Sequence, residues 1–350
     1  MKKRGMKTCL GVALACAVYM TGCSEKTENI EETQVATTDS VEETEESVEE
    51  TSVTDAYAPF ELTNYNMTTT FEKKPERVVC LSLNSAEIIA ALGEADSIIG
   101  VQTGNNALKD LRPEYFETLK DVDVPEQLNT GMPPTLEAML ALTPDFVAMN
   151  GYYFYVPFFG TVEDYQNNDV KLYVTEGSYV EQCTIENTYN DIRNLGTIFG
   201  KKQKADEIVN DMQKAFETVS EQIGGMNNTK VMAFDSLSED GLYTVAGGFG
   251  LEEQLLEMAG TENVFDDVES DFSTVSIEEI IARNPEYIVI HDYTSEENDA
   301  QSKIDYLLAQ KELADVEAIK NQNFIVVSMF QVTPGIQNVD FVEKVAGYTH

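Results

Sequence analysis

"TLEAMLALTPDFVAMN" (residues 135–150) and "SIEEIIARNPEYIVIH" (residues 276–291) align without gaps at an offset of 141 residues. Each opens on a hydroxyl residue, Thr135 or Ser276, suited to accept a hydrogen bond from the first turn of a helix. Ser276 and Glu279 have the spacing of a capping box. An apolar helical face follows, then Pro144 or Pro285, an acid, an aromatic residue and an apolar run that reads as a strand. Proline cannot continue a helix, so each copy predicts a helix that stops and leads into a strand. A helix–strand unit that recurs so far along the chain predicts two similar halves.

The flanking sequence extends both halves. "ERVVCLSLNSAEIIAALGEADSIIGV" (residues 76–101) predicts a strand at 78–83 and a helix capped by Asn84 or Ser85. Ile88, Ile89 and Leu92 share one face of that helix, Gly93 is a plausible stop, and "SIIGV" is the next strand. "KLYVTEGSY" and "FIVVSMFQ" follow the two copies as further strands. Between the halves, residues 200–225 place Ala205, Ile208, Val209, Met212, Ala215, Phe216, Val219 and Ile223 on one helical stripe. About 20 helical residues span roughly 30 Å, enough to run from one lobe to the other. The fold class is therefore α/β: two similar Rossmann-like lobes with parallel sheets, residues 57–199 and 226–350, joined by one long helix, with a cleft between them.

The N-terminus reads differently. "MKKRGMK" is a basic n-region and "TCLGVALACAVYM" a 13-residue apolar stretch, too short to span a bilayer. "MTGC" then looks like the lipobox of a bacterial lipoprotein signal, which would remove residues 1–22 and lipidate Cys23. Residues 24–56 carry twelve acids, one Lys and no aromatic residue, the composition of a solvated, self-repelling tether over 23–56. The mature chain would keep Cys23, Cys80 and Cys183, and no structural disulfide is expected. With 23 basic against 62 acidic residues and a net charge of −39, the chain is a poor match for nucleic acid or an anionic membrane surface.

Several segments, in order from about residue 70 onward, carry a resemblance: "PERVVCLSLNSAEIIAALGEADSIIGV", "PTLEAMLALTPDFVAMN", "IRNLGTIFGKKQKADEIV", "LLEMAGTENVF", "VSIEEIIARNPEYIVIHDY" and "LADVEAIKNQNFIVV". Together they resemble the helical-backbone periplasmic solute-binding proteins that serve ABC importers of iron-siderophores, haem and cobalamin. The resemblance implies a bilobed monomer with limited lobe closure, delivering a bulky metal chelate to an importer permease, and no enzyme activity. It also implies one surface Glu on each lobe that pairs with permease Arg. The matching positions are Glu87 and Glu257.

In open α/β sheets, ligands sit outside the carboxyl ends of the strands. In the first lobe that rule selects Asn84, Ser85, Met132, the aromatic stretch "YYFYVPFF" (residues 152–159), Ser178 and Tyr179. In the second it selects Tyr243, Phe249, His291, Tyr293, Phe330 and Gln331. Tyr152, Tyr153 and Tyr155 suit a large flat or greasy ligand, offering ring area and a polar handle, whereas Phe158 and Phe159 suit packing. "GGFG" (residues 247–250) lacks the rest of a nucleotide-binding pattern and reads as a tight turn near the ligand.

Zinc or manganese uptake needs about three His with a carboxylate, and the chain has only His291 and His350. His291 could be a haem axial ligand or a polar rim residue beside Asp292. Arg77, Arg193 and Arg283 fall away from the cleft loops, which disfavours an anionic catecholate chelate. A ferric hydroxamate or a corrinoid fits better, with an iron-siderophore preferred. The alternatives from other classes are a chelatase-like enzyme using His291 and Asp292, and an adhesive surface lipoprotein. No nucleophile elbow, zinc-protease motif or Cys/His pairing is present in the sequence.

Overall fold

The computed structural model describes residues 57–102, 107–122, 125–128, 132–226, 228–238, 241–293 and 299–350. The signal, the tether and Cys23 lie outside the described residues. A hairpin comes first, β1 (Phe60–Asn64) and β2 (Met67–Phe71), antiparallel and separate from the main sheets. The first lobe follows as β3 (Val78–Cys80), α1 (Leu83–Ala91), β4 (Ile98–Val101), α2 (Pro113–Leu119), α3 (Leu136–Ala141), β5 (Phe146–Met149), α4 (Val162–Gln166), β6 (Lys171–Val174) and α5 (Ile185–Ile198). Its four strands are all parallel, in the order β4-β3-β5-β6.

Helix α6 (Lys202–Ile223) carries the chain into the second lobe. There the order is β7 (Thr229–Leu237), β8 (Tyr243–Ala246), α7 (Gly250–Met258), β9 (Thr261–Asn263), β10 (Phe272–Val275), α8 (Ile277–Arg283), β11 (Tyr287–Asp292), α9 (Ala300–Ala309), α10 (Glu317–Asn321), β12 (Phe324–Ser328), α11 (Met329–Val332) and α12 (Asn338–Thr349). This sheet is mixed rather than parallel throughout. The nine-residue β7 pairs β9 in parallel near its start and β8 antiparallel near its end, and β10 continues antiparallel from β8. β8 thus runs back along β7, which a βα alternation does not anticipate.

The repeat occupies equivalent places. β5 lies between β3 and β6, and β11 lies between β7 and β12, all in parallel. Thr135 caps α3 by accepting the Ala138 N–H at 3.2 Å. Ser276 and Glu279 cap α8 reciprocally, at 3.3 and 2.8 Å. The correspondence reaches the backbone: Thr143 and Asn284, each just before its proline, both turn the chain with positive φ, 48° and 46°. By contrast α1 is capped two or three residues earlier than the sequence suggests. Ser82, not Asn84 or Ser85, accepts the Ser85 N–H at 3.1 Å.

Five of the striped positions of α6 are buried (Ala205, Val209, Met212, Phe216 and Val219), and Ile208, Ala215 and Ile223 pack at its margin. Its 22 residues measure about 33 Å at 1.5 Å per residue. α5 approaches it closely at Gly196, where a Cβ would lie 2.3 Å from that of Ala205. One apolar core joins α1, α5, α6, α7 and α12, running through both lobes; a second core fills the outer side of the C-terminal sheet and a third that of the N-terminal sheet. Cys80 and Cys183 are free and buried.

Candidate functional site

The carboxyl ends of the two sheets meet at the segment after β12. The Asn84 side-chain amide donates to the carbonyls of Phe330, Thr333 and Pro334, at 3.1, 3.2 and 2.9 Å. The loop after β6 presses on the same segment, since a Cβ on Gly177 would lie 2.5 Å from Pro334 Cγ. The Ile185 N–H adds a 2.8 Å bond to Gln254 Oε1 on α7. These contacts form the floor of the inter-lobe cleft. Asn84 is buried in making them and Ser85 is wholly buried against Ser82, so both hold the floor and neither is a free ligand group.

Above the floor, the first lobe presents an aromatic shelf. Tyr152 and Tyr155 are 55% and 82% exposed, and Phe158 is 48% exposed. Tyr153 turns inward instead: it is buried, packs tilted against Phe159, and bonds the Leu81 carbonyl at 2.9 Å and the Gln102 side-chain oxygen. Phe159 is core as expected, whereas Phe158 is not. The loops carrying the shelf are cross-linked. Gly151 N–H donates to Ser178 Oγ at 2.7 Å, Ser178 Oγ–H donates to the Thr175 carbonyl at 2.6 Å, and Thr175 donates to Asn150 at 2.9 Å. Ser178 thus positions the wall. Tyr179 stays partly exposed, its hydroxyl accepting from Asn64 at 3.2 Å. Met132 is 62% exposed, but its neighbours 129–131 are not among the described residues.

A buried ion cluster stands in the second lobe. His291, at the end of β11, is completely buried, with Nδ1 3.1 Å from Asp235 Oδ1 on β7 and Nε2 2.7 Å from Glu252 Oε1 on α7. Burial alone would favour the neutral ring, but the Glu252 and Asp235 carboxylates outweigh it and lift the pKa to about 9. Burial would likewise raise Asp235, yet hydrogen bonds from His291, Tyr293 and Ser236 bring it down to about 2. Tyr293, at the cleft edge, donates to the same Asp235 oxygen at 2.5 Å, and Lys303 sits 4.5 Å over its ring. With both ring nitrogens committed and no exposure, His291 can be neither a haem ligand nor a rim residue, and its carboxylate partners are not Asp292. Tyr243 is buried too. Phe249 caps α7, half-buried, and Phe330 is half-buried beside the floor.

Two further readings are corrected. Gly247 and Gly248 serve a close approach to the 266–271 backbone, not to a ligand: a Cβ on Gly248 would lie 1.8 Å from the Asp266 carbonyl. Glu87 is not a surface group. It is fully buried, accepting from Arg112 N–H at 2.9 Å and from the Gln337 amide at 3.1 and 3.2 Å, and burial pushes its carboxyl up to about 7. It sits beneath the residues that open α2 and α12, Arg112 and Gln337, with its carboxylate occupied by them. Glu257 is exposed on α7.

Sequence reasoning also passed over Arg112. Its guanidinium pairs with Asp340 at 2.7 Å and donates to the Ile336 carbonyl at 3.1 Å, beside a cavity of about 520 Å³ that Gln331 also lines. Gln331 itself spends its side-chain oxygen on the Ser328 N–H at 3.0 Å. Arg77 and Arg283 hold carbonyls and Asp267 away from the cleft.

Residues 78–328 match the family model described as periplasmic binding protein, about 72% of the chain. The chain belongs to this family. It is 24% identical over 217 residues to the vitamin B12-binding protein of Pectobacterium carotovorum, covering 62% of this chain and 71% of that one. A periplasmic binding protein from Veillonella parvula superposes with a TM-score of 0.72 at 27% identity, covering 83% and 97% of the two chains. A protein described as an ABC-type Fe3+-hydroxamate transport system, from Saccharomonospora viridis, shares the fold with a TM-score of 0.68 at 20% identity, over 83% and 99%. The family is one of binding proteins rather than enzymes, so the chain is a solute-binding protein. Among the described residues no helix is long and apolar enough to cross a membrane.

Proposed function

We propose that this periplasmic binding protein is a lipid-anchored carrier that captures a metal chelate without net negative charge, a ferric hydroxamate siderophore, and hands it to an ABC importer permease. The observation that carries the ligand class is the shelf of Tyr152, Tyr155, Phe158 and Tyr179, exposed and built on loops that cross-link one another. Its hydrogen-bond and ring partners include no Lys or Arg among the described residues, and Arg112 is already paired with Asp340. An anionic catecholate chelate would meet no free positive charge there. The likeness to a vitamin B12-binding protein favours cobalamin as the second reading, because a corrin is also large, apolar-faced and neutral or weakly charged. Lipidation at Cys23 would tether the body at the membrane through the acidic segment, and Glu257 remains a candidate for permease docking.

The test is a thermal-shift panel with a ferric trihydroxamate, a ferric triscatecholate, hemin and cyanocobalamin. At about 100 times its dissociation constant a ligand stabilises by roughly 2.7 kcal/mol, raising the midpoint by about 2 °C or more for a body of this size. A shift with the hydroxamate complex and none with its iron-free form supports the reading. A shift with cyanocobalamin alone selects the second reading, and a shift with the catecholate alone refutes the charge argument.

A further inference from the structure

We propose that Tyr65, at the tip of the β1–β2 hairpin, is a ligand-contacting, specificity-determining residue of the cleft. This rests on the reading of the chain as a chelate carrier. The hairpin belongs to neither main sheet and could have been a mere leader to the first lobe. Its tip is instead fastened to the carboxyl end of β6. The Asn64 side chain pairs with the last residue of β6 as a strand would, donating to the Val174 carbonyl at 2.8 Å and accepting its N–H at 2.7 Å. That clamp sets the Tyr65 ring on Phe154, stacked at 5.0 Å and 20°, and edge-on to Tyr179 at 5.2 Å. Gly151 is small for the same reason: a Cβ there would come within 3.3 Å of the Tyr65 ring.

The backbone adds a second, independent argument. Tyr65 and Asn66 form a two-residue turn with φ of 49° and 58°. Such turns favour Asn-Gly, and a bulky aromatic at the first position is strained. Strain of this kind clusters at ligand sites, where a side chain is wanted despite its backbone cost. The Tyr65 hydroxyl makes no hydrogen bond among the described residues, and the ring is only half-buried. Tyr65, Phe154 and Tyr179 thus form a three-ring platform with no cation–π contact among the described residues, matched to a flat or apolar ligand face.

The test measures dissociation constants and melting temperatures of the full chain and its Tyr65→Ala and Tyr65→Phe variants, using the four chelates named above. Tyr65→Ala is expected to weaken the chelate that binds by about tenfold, with Tyr65→Phe within about threefold of wild type. Tyr65→Ala binding within twofold of wild type overturns the proposal while leaving the carrier reading intact. Wild-type protein binding none of the four overturns both. If Tyr65→Ala does not fold, Tyr65→Trp decides, because the chain has no other tryptophan. Protection of that indole from acrylamide quenching by bound chelate supports the proposal, and unchanged quenching overturns it.

Discussion

Glu252 Oε1 lies 2.7 Å from His291 Nε2, and the pair is buried beneath the cleft rather than exposed within it. Asp235 grips the other ring nitrogen, so an imidazolium is held between two carboxylates. The folded-state pKa of His291 is raised to about 9 from 6.5, so its stabilising contribution is complete below about 6.5 and disappears as pH rises through about 9. Asp235 is lowered to about 2 from 3.8, so its contribution holds above about 3.8 and is lost as pH falls through about 2. Denaturant melts across pH 5 to 10 should show the upper loss. In a His291→Leu variant the two carboxylates face each other without a cation, costing about 3–5 kcal/mol at pH 7. A variant as stable as wild type would refute the ion cluster.

Glu87 gives the opposite kind of variant. Its carboxyl is raised to about 7 from 4.5, chiefly by burial, so folding is favoured below about 4.5 and progressively penalised as pH rises through about 7. Glu87→Gln should therefore stabilise the protein at pH 8, by roughly 2 kcal/mol, and have little effect at pH 4. Thermal melts at the two pH values check this. An equal loss at both would show that the hydrogen bonds from the Arg112 N–H and Gln337 matter more than the charge of the carboxyl.

Asn84 closes the floor of the cleft. Asn84→Ala removes the donor shared among three carbonyls and should cost about 1–3 kcal/mol. Asn84→Asp should be worse, because a carboxylate facing carbonyls repels them. Chemical denaturation of the two variants gives the order, and a reversed order would contradict the contact.

Gly196 is required by the packing of α5 on α6. Gly196→Ala should cost about 1–3 kcal/mol by overpacking. Pairing it with Ala205→Gly should restore much of that loss, because the clash is between those two Cβ positions. A double mutant no better than Gly196→Ala would place the strain elsewhere.

Glu257 is the docking candidate that remains at the surface. Glu257→Lys is expected to abolish chelate uptake in cells while the dissociation constant of the purified protein stays unchanged. A parallel loss of affinity would move Glu257 from permease docking to the ligand site.

The repeat was legible because its signals are local. A hydroxyl cap, an apolar face and a proline act within one helix and the strand after it, so Thr135 and Ser276 mark equivalent units down to the left-handed Thr143 and Asn284. The α6 stripe was legible for the same reason, since periodicity fixes which face is buried. The aromatic stretch announced a ring-rich loop, but which rings face out is set by partners far along the chain. Tyr153 turns inward to reach Leu81, while Tyr152 and Tyr155 do not. The mixed C-terminal sheet was missed because residues 238–242 read in sequence like any connection in a βα series, and the direction of pairing is set by long-range contacts.

By itself, then, the sequence determined two α/β halves, their linking helix and the position of the strand ends that face each other, all consequences of short-range propensity and periodicity. Only the tertiary structure decided which polar groups those ends would leave free. Glu87 and His291 look like surface and cleft residues in sequence, yet packing from Gln337 and Glu252 buries them and occupies their hydrogen-bonding atoms. Tyr65 carries no signal in the sequence, yet Asn64 bonding to Val174 sets its ring beside Phe154 and Tyr179. Long-range pairing assigns such roles because the free energy of a polar group or ring depends on what surrounds it in space.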